Sequence, residues 1–231
     1  MSVNLVNETA KSESALPEGI DNAGYVAFVD ALLEGRLKLG QTLRQEELCS
    51  ILGMSLSPMR EATTLLEAEG LITVRKRLGI SIFYPDVKFV GNTFQFRGIL
   101  EREGLIKFAK TVDGKWIRQH REAHARIMDV VAGAQSPADY REPMRVLERD
   151  FHGSFIAAFD NHQINLSYAK LMQKMFLIRL INMEAVSPSN SIQSMQEHLA
   201  IIDALEQRDS GKAAEALDRH LRGVLHRVLT A

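Results

Sequence analysis

Three histidines and a glutamate in the C-terminal part of this 231-residue chain have the types and spacing of a metal centre. His198 shares a helix-length segment with Met195, Ile202 and Leu205, so its ring points along an apolar seam. His220 shares the inner face of the last segment with Ala213, Leu217 and Val224. The turn between these segments centres near Ser210. At 1.5 Å of rise per residue, each histidine lies roughly 15–18 Å from that turn along its own axis. An antiparallel hairpin therefore brings both imidazoles to one level. His152 is the third, with Phe155 and Phe159 on its face. Helical residues four apart face each other, so Glu148 rather than Asp150 is its carboxylate neighbour. Any one of these histidines alone reads as a packed core residue. Three of them with a carboxylate, inside one bundle core, point to N and O ligation of a divalent ion such as Zn²⁺, Ni²⁺ or Mn²⁺. His120, His124, His162 and His226 have no such placement and read as surface or packing residues.

The elements that must position this set are helical. After Asp86 there is almost no strand signal, and the pattern predicts helices near 87–109, 114–133, 143–159, 163–186, 191–207 and 212–230. The breaks fall at Asp113-Gly114, Ser136-Pro137, Asp160-Asn161, Ser187-Pro188 and Asp209-Ser210-Gly211. Such helices bury their apolar stripes against one another as an all-α antiparallel bundle over 86–231. Arg97 and Glu101, one turn apart, read as a helix-surface ion pair worth only about 0.3–0.5 kcal/mol. Arg179 and Asn182 share a helix with Met175 and Ile178, and they either line a cavity or pack structurally.

A different chemistry is concentrated between residues 21 and 85. Tyr25 to Glu34 reads as a first helix and Arg44 to Leu52 as a second. Gly53-Met54 breaks the second, and Ser55 suits the N-cap of a third that runs to about Glu69, with Pro58 in its first turn. Gly70 ends it. Two β-prone runs follow, Leu71–Val74 and Ile80–Phe83, joined by Arg75-Lys76-Arg77-Leu78-Gly79. Helix, tight turn, helix and a hairpin with a basic tip describe a winged helix-turn-helix that reads double-stranded DNA. Arg44, Ser55, Ser57 and Arg60 are its candidate DNA contacts on the helices, and Arg75, Lys76 and Arg77 those on the wing.

Bulk properties bound the function classes. A net charge of −1 supplies no global field for indiscriminate binding of polyanions, so the basic residues act locally. The single cysteine, Cys49, excludes an internal disulfide framework or a cysteine-based zinc site and reads as a small buried residue. Neither a signal peptide nor a membrane-length apolar run is evident, so a cytoplasmic protein with no membrane partner is expected. Residues 1–20 are polar and aperiodic and read as a flexible tail.

The string EGRLKLGQTLRQEELCSILGMSLSPMREATTLLEAEGLI resembles the DNA-binding domain of GntR-type bacterial transcription regulators. Arg97–Glu101 (R-x-x-L-E), Glu148–His152 (E-x-x-F-H), Glu197–Leu205 and Gly211–His220 extend the likeness to the helical FCD domain of the FadR-like branch. The resemblance implies a ligand-responsive regulator, usually a repressor, that binds a palindromic operator as a homodimer. It also implies a small organic acid effector, and an arginine at position 97 close to the effector cavity. Metal-binding members carry a carboxylate and three histidines at the positions of Glu148, His152, His198 and His220. Three departures stand out: Leu56 and Leu39 where the family often has arginine and proline, and Glu148 where it usually has aspartate. Losing that arginine removes one bidentate guanine contact, so the family's base code does not transfer.

Two other function classes compete with a regulator. A metal-dependent enzyme would need a base or nucleophile poised by the ion, and none stands out beyond the ligands themselves. A DNA-binding protein whose helical half only dimerises would need no ligand at all. The expectation is a mostly α regulator and not an enzyme.

Overall fold

The computed structural model describes residues 22–230, and the expected tail over 1–20 lies outside them. The chain divides after Tyr84 into two compact units.

In the first unit, α1 (Ala23–Leu33) precedes a short strand, β1 (Thr42–Leu43). Helices α2 (Gln45–Leu52) and α3 (Leu56–Ala68) follow, then β2 (Ile72–Arg75) and β3 (Gly79–Ile82). The α2–α3 turn is tight because Gly53 adopts the left-handed region at φ 64°, where a side chain would be strained. Phe28, Leu48, Met59, Leu66 and Leu71 form the buried interior, and Cys49 is buried as expected. The antiparallel sheet has order β1-β3-β2, with Thr42 opposite Ser81 and Ile72 opposite Ile82. Both wing strands sit one residue off the expected bounds. The β1 strand, two residues long, is too short to show an alternating pattern.

The second unit is all-helical among the described residues: α4 (Val87–Phe108), α5 (Gly114–Gly133), α6 (Ala138–Ala157), α7 (His162–Ile181), α8 (Pro188–Glu206) and α9 (Ser210–Thr230). Side-chain oxygens of Asp86, Asp113 and Asn161 accept amides from the first turns of α4, α5 and α7. Each such cap stabilises by about 1 kcal/mol. Two expectations need correcting. Helix α6 begins at Ala138 and carries Pro143 inside it, where a start at 143 was expected. The Asp139 carboxylate accepts the Gln135 and Ser136 amides at 2.9 and 2.8 Å, which organises the chain one turn and more before the proline. Helix α7 stops at Ile181 and gives way to a 3₁₀ turn, Met183–Val186, instead of running on to 186.

The core around the histidines is built by Leu105 of α4, Phe151 and Phe155 of α6, Ile201, Ile202 and Leu205 of α8, and Leu217 of α9. No helix among the described residues is long and apolar enough to cross a membrane.

Helices α4 and α6 approach closely at Gly104, where an added Cβ would lie 2.4 Å from the Phe155 carbonyl oxygen. Backbone cannot yield as a side chain can, so Gly104→Ala should destabilise this unit by about 1–3 kcal/mol. The single tryptophan, Trp116, lies on α5 and reports on this unit. A urea titration followed by its fluorescence should show the midpoint falling.

Candidate metal centre and nucleic-acid interface

Each of the three histidines comes from a different helix: His152 from α6, His198 from α8 and His220 from α9. All three are buried. His198 Nε2 lies 3.2 Å from His152 Nε2 and 3.1 Å from His220 Nε2. The Glu148 carboxylate lies beside the group, with Oε2 3.9 Å from His152 Nε2 and Oε1 3.7 Å from His198 Nε2.

The partners of the opposite ring nitrogens decide which nitrogens carry protons. His220 Nδ1 donates to Glu197 Oε2 at 2.8 Å. Glu197 is in turn gripped by the Arg227 guanidinium, at 2.9 Å on Oε1 and 3.0 Å on Oε2. His152 Nδ1 lies 2.8 Å from Glu101 Oε2. His124 Nδ1 is 2.7 Å from the His120 carbonyl, which can only accept, so that nitrogen bears the proton. His124 Nε2 is therefore bare and accepts from His198 Nδ1 at 3.0 Å. On His198 and His220 the proton therefore sits on Nδ1, and their Nε2 lone pairs face each other and His152 Nε2.

Such a meeting suits a cation. Burial, followed by the neighbouring histidines, pushes His198 well below the usual imidazole range. Burial also lowers His220, although its bond to Glu197 opposes this. Burial raises Glu148, but His152, Arg179 and His220 outweigh it and hold the carboxyl below its ordinary range. Burial likewise raises Glu197, yet the His220 and Arg227 hydrogen bonds bring it down to about 2. The set thus includes two neutral imidazoles, His198 and His220, beside an ionised carboxylate. At a Zn–N distance of 2.0–2.1 Å, two ligand nitrogens on a tetrahedron are about 3.3 Å apart, close to the separations here. The donor set fits a divalent ion.

Arg97 and Glu101 correct the expectation of a surface pair. Their side chains are 3% and 0% exposed, with Arg97 Nε 2.6 Å from Glu101 Oε1. Tyr168 of α7 donates its hydroxyl to the same oxygen at 2.6 Å. Burial raises Glu101, but Arg97 and His152 more than reverse it and keep the group ionised. The pair is internal because the apolar stripe of α4, with Val90, Phe94 and Leu105, faces inward along the same side. Arg179 is partly exposed, with Nη2 3.7 Å from Glu148 Oε2. Asn182 lies elsewhere, with Nδ2 donating to the Val228 carbonyl of α9 at 3.3 Å.

In the first unit, Arg44 occupies the N-cap of α2 and Ser55 that of α3. Ser55 makes no side-chain capping bond, so its hydroxyl is not committed to the helix. Ser55, Leu56, Ser57 and Arg60 are exposed at the start of α3, opposite the buried Met59, Ala62 and Leu66. Arg75, Lys76 and Arg77 are exposed at the β2–β3 tip, where Arg77 takes a left-handed φ of 69°.

Residues 25–82 match the family described as bacterial regulatory proteins, gntR family, and residues 92–223 match the FCD domain. The chain is a GntR-family transcription regulator with an FCD domain. It is not an enzyme. The regulator is 26% identical over 199 residues to a probable D-xylose utilization operon transcriptional repressor of Paenarthrobacter nicotinovorans, spanning 86% of this chain and 84% of that one. In fold it is similar to a GntR regulator from Rhodococcus sp. RHA1, with a TM-score of 0.65, 18% identity, and coverage of 90% and 98% of the two chains. It is also similar to the metal-free FCD domain of TM0439, with a TM-score of 0.51 and 26% identity over 62% of this chain and 94% of that one.

Sequence reasoning missed His120 and His124 as parts of the histidine cluster. Both are buried, and His124 touches His198 directly. The signal was present in the regulator's α5: Ile117, His120, His124, Ile127 and Val131 follow the 3-4-3-4 spacing of a buried stripe. His162 and His226 are exposed, in keeping with the surface reading.

Removing Arg97 leaves Glu101 charged and buried beside a tyrosine. Breaking a buried pair from one side costs about 3–5 kcal/mol. Arg97→Met should destabilise the FCD domain by about that amount, read as a lower urea midpoint of Trp116 fluorescence. The double change Arg97→Met with Glu101→Gln should recover part of it.

Proposed function

We propose that this regulator is a ligand-responsive repressor that binds a palindromic operator as a homodimer and senses a small organic acid through a divalent ion. The observation that carries the sensing half is the convergence of three Nε2 atoms, on rings whose Nδ1 atoms each face a carboxylate or another imidazole. Glu148, His152, His198 and His220 would hold the ion. When bound, it supplies a Lewis-acidic positive charge to which a ligand carboxylate can attach.

The protein's own residues supply the rest. Arg179 is the cation beside Glu148 whose side chain still reaches solvent, at 35% exposure, so it meets the acid on entry and forks onto its carboxylate. Arg97 is already bonded to Glu101 and holds a wall of the site, whereas Asn182 is bonded to the Val228 carbonyl away from it. An acid bound there changes DNA affinity only to the extent that it favours one dimer geometry over the other.

On DNA, the exposed start of α3 enters the major groove, with Arg60 reaching base edges and Ser55, Ser57 and Arg44 on the backbone. Arg75, Lys76 and Arg77 grip phosphates from the wing. One winged helix offers little contact surface, so selectivity requires two-fold pairing on a palindrome.

An operator selected from random duplexes with the full chain tests the DNA half. Arg60→Ala should weaken binding to it by about 1–3 kcal/mol, whereas neutralising Arg75, Lys76 or Arg77 should weaken all sequences and flatten the salt dependence. An isolated half-site bound as tightly as the full site would overturn the dimeric reading.

Elemental analysis tests the sensing half. Wild type resupplied with zinc, nickel or manganese should hold one ion per chain, and His198→Ala and His220→Ala should hold none while still binding operator. A metal-free wild type after resupply would return the histidines to a packing role.

A further inference from the structure

The cluster contains a fourth histidine outside the ligand set, and its geometry differs from that of the other supporting groups. His220 and His152 each present Nδ1 to a carboxylate, Glu197 at 2.8 Å and Glu101 at 2.8 Å. His198 presents Nδ1 to another imidazole, His124 Nε2 at 3.0 Å. Both of these rings are fully buried.

A packing role does not account for His124. Phe151 lies against it edge-on, with ring centroids 5.0 Å apart, and stacks on His198 at 4.5 Å. A phenylalanine at 124 would fill that space equally well. Instead, both nitrogens of His124 are engaged: Nδ1 donates to the His120 carbonyl at 2.7 Å and Nε2 faces His198. A backbone carbonyl cannot rotate to suit a side chain, so it locks His124 in one tautomer. That tautomer makes Nε2 an acceptor, which in turn locks His198 with its proton on Nδ1 and its lone pair at Nε2. The chain carbonyl–His124–His198 is a relay of orientation that starts at the backbone of α5.

We propose that His124 is a positioning residue for metal binding, acting through His198 and adding no charge to the site. This rests on the metal reading above. Partners of ligating histidines fix ring orientation, and their loss commonly weakens metal binding 10–100-fold.

Two variants separate the halves of the relay. His124→Gln can carry an acceptor out to His198 Nδ1. His124→Asn is shorter, so it keeps a donor for the His120 carbonyl and does not reach His198. Zinc affinity is read on the full chain by competition with a chromophoric chelator. Co²⁺ substitution is read by its visible spectrum, which follows ligand geometry and not fold stability. Circular dichroism confirms that each variant is folded. The expected result is a zinc affinity on the order of 10–100-fold weaker with an altered cobalt spectrum for His124→Asn, and near-wild-type values for His124→Gln. Equal zinc affinity and identical cobalt spectra for wild type and His124→Asn would overturn the positioning role alone, as would equal impairment of both variants. A wild type that takes up neither zinc nor cobalt would overturn this inference together with the metal reading.

Discussion

The C-terminal unit is organised around one constraint: three imidazoles converge in a buried core, with His198 Nε2 3.1–3.2 Å from the Nε2 atoms of the other two. Neutral rings in that arrangement repel unless something positive lies among them. The arrangement persists because each ring is held from behind. Glu101 of α4, His124 of α5 and Glu197 of α8 face the three Nδ1 atoms at 2.8–3.0 Å, and Arg97 and Tyr168 hold Glu101 while Arg227 holds Glu197. Every helix of the unit therefore contributes at least one group to the network. Side chains locked by packing and by a second set of hydrogen bonds are what a site needs to keep its geometry.

The charges in this interior are matched in pairs. Glu101 faces Arg97, Glu197 faces Arg227, and Glu148 lies near Arg179. Buried ions are tolerable only when paired and hydrogen-bonded, because desolvation costs several kcal/mol per ion. The first two pairs are close and well bonded. The third is looser, at 3.7 Å, and Arg179 is the member of it that solvent reaches. That looseness sets Glu148 and Arg179 apart as the open edge of an otherwise closed network.

The N-terminal unit works in the opposite way. Its candidate contacts are exposed and form no shared network; they sit where helix ends and a hairpin tip put them. Gly53 sets the turn between α2 and α3, and the buried Met59, Ala62 and Leu66 turn Ser57 and Arg60 outward. Short-range pattern is enough for such a site. Leu56, 47% exposed, puts an apolar group on this face.

What the amino-acid sequence determined by itself follows the range of the forces involved. Helix periods, Asp and Asn caps and glycine turns are local, so the mostly α fold, the winged helix and the levelling of His198 with His220 were all readable from spacing. Glu148 facing His152 one turn away was readable for the same reason. Helix α6 was only partly so: a start near 143 was expected, and it begins at Ala138 behind the Asp139 turn, with Pro143 inside it. The tertiary structure alone decided what lies across from each face. Arg97 and Glu101 have the spacing of a surface pair, and only the packing of α4 against α6 and α7 makes them internal. His124 looked like any helical histidine until α5 met α8, where its Nε2 found His198. A ring nitrogen's role depends on what stands 3 Å away, and residues 74 positions apart in the chain meet only after folding.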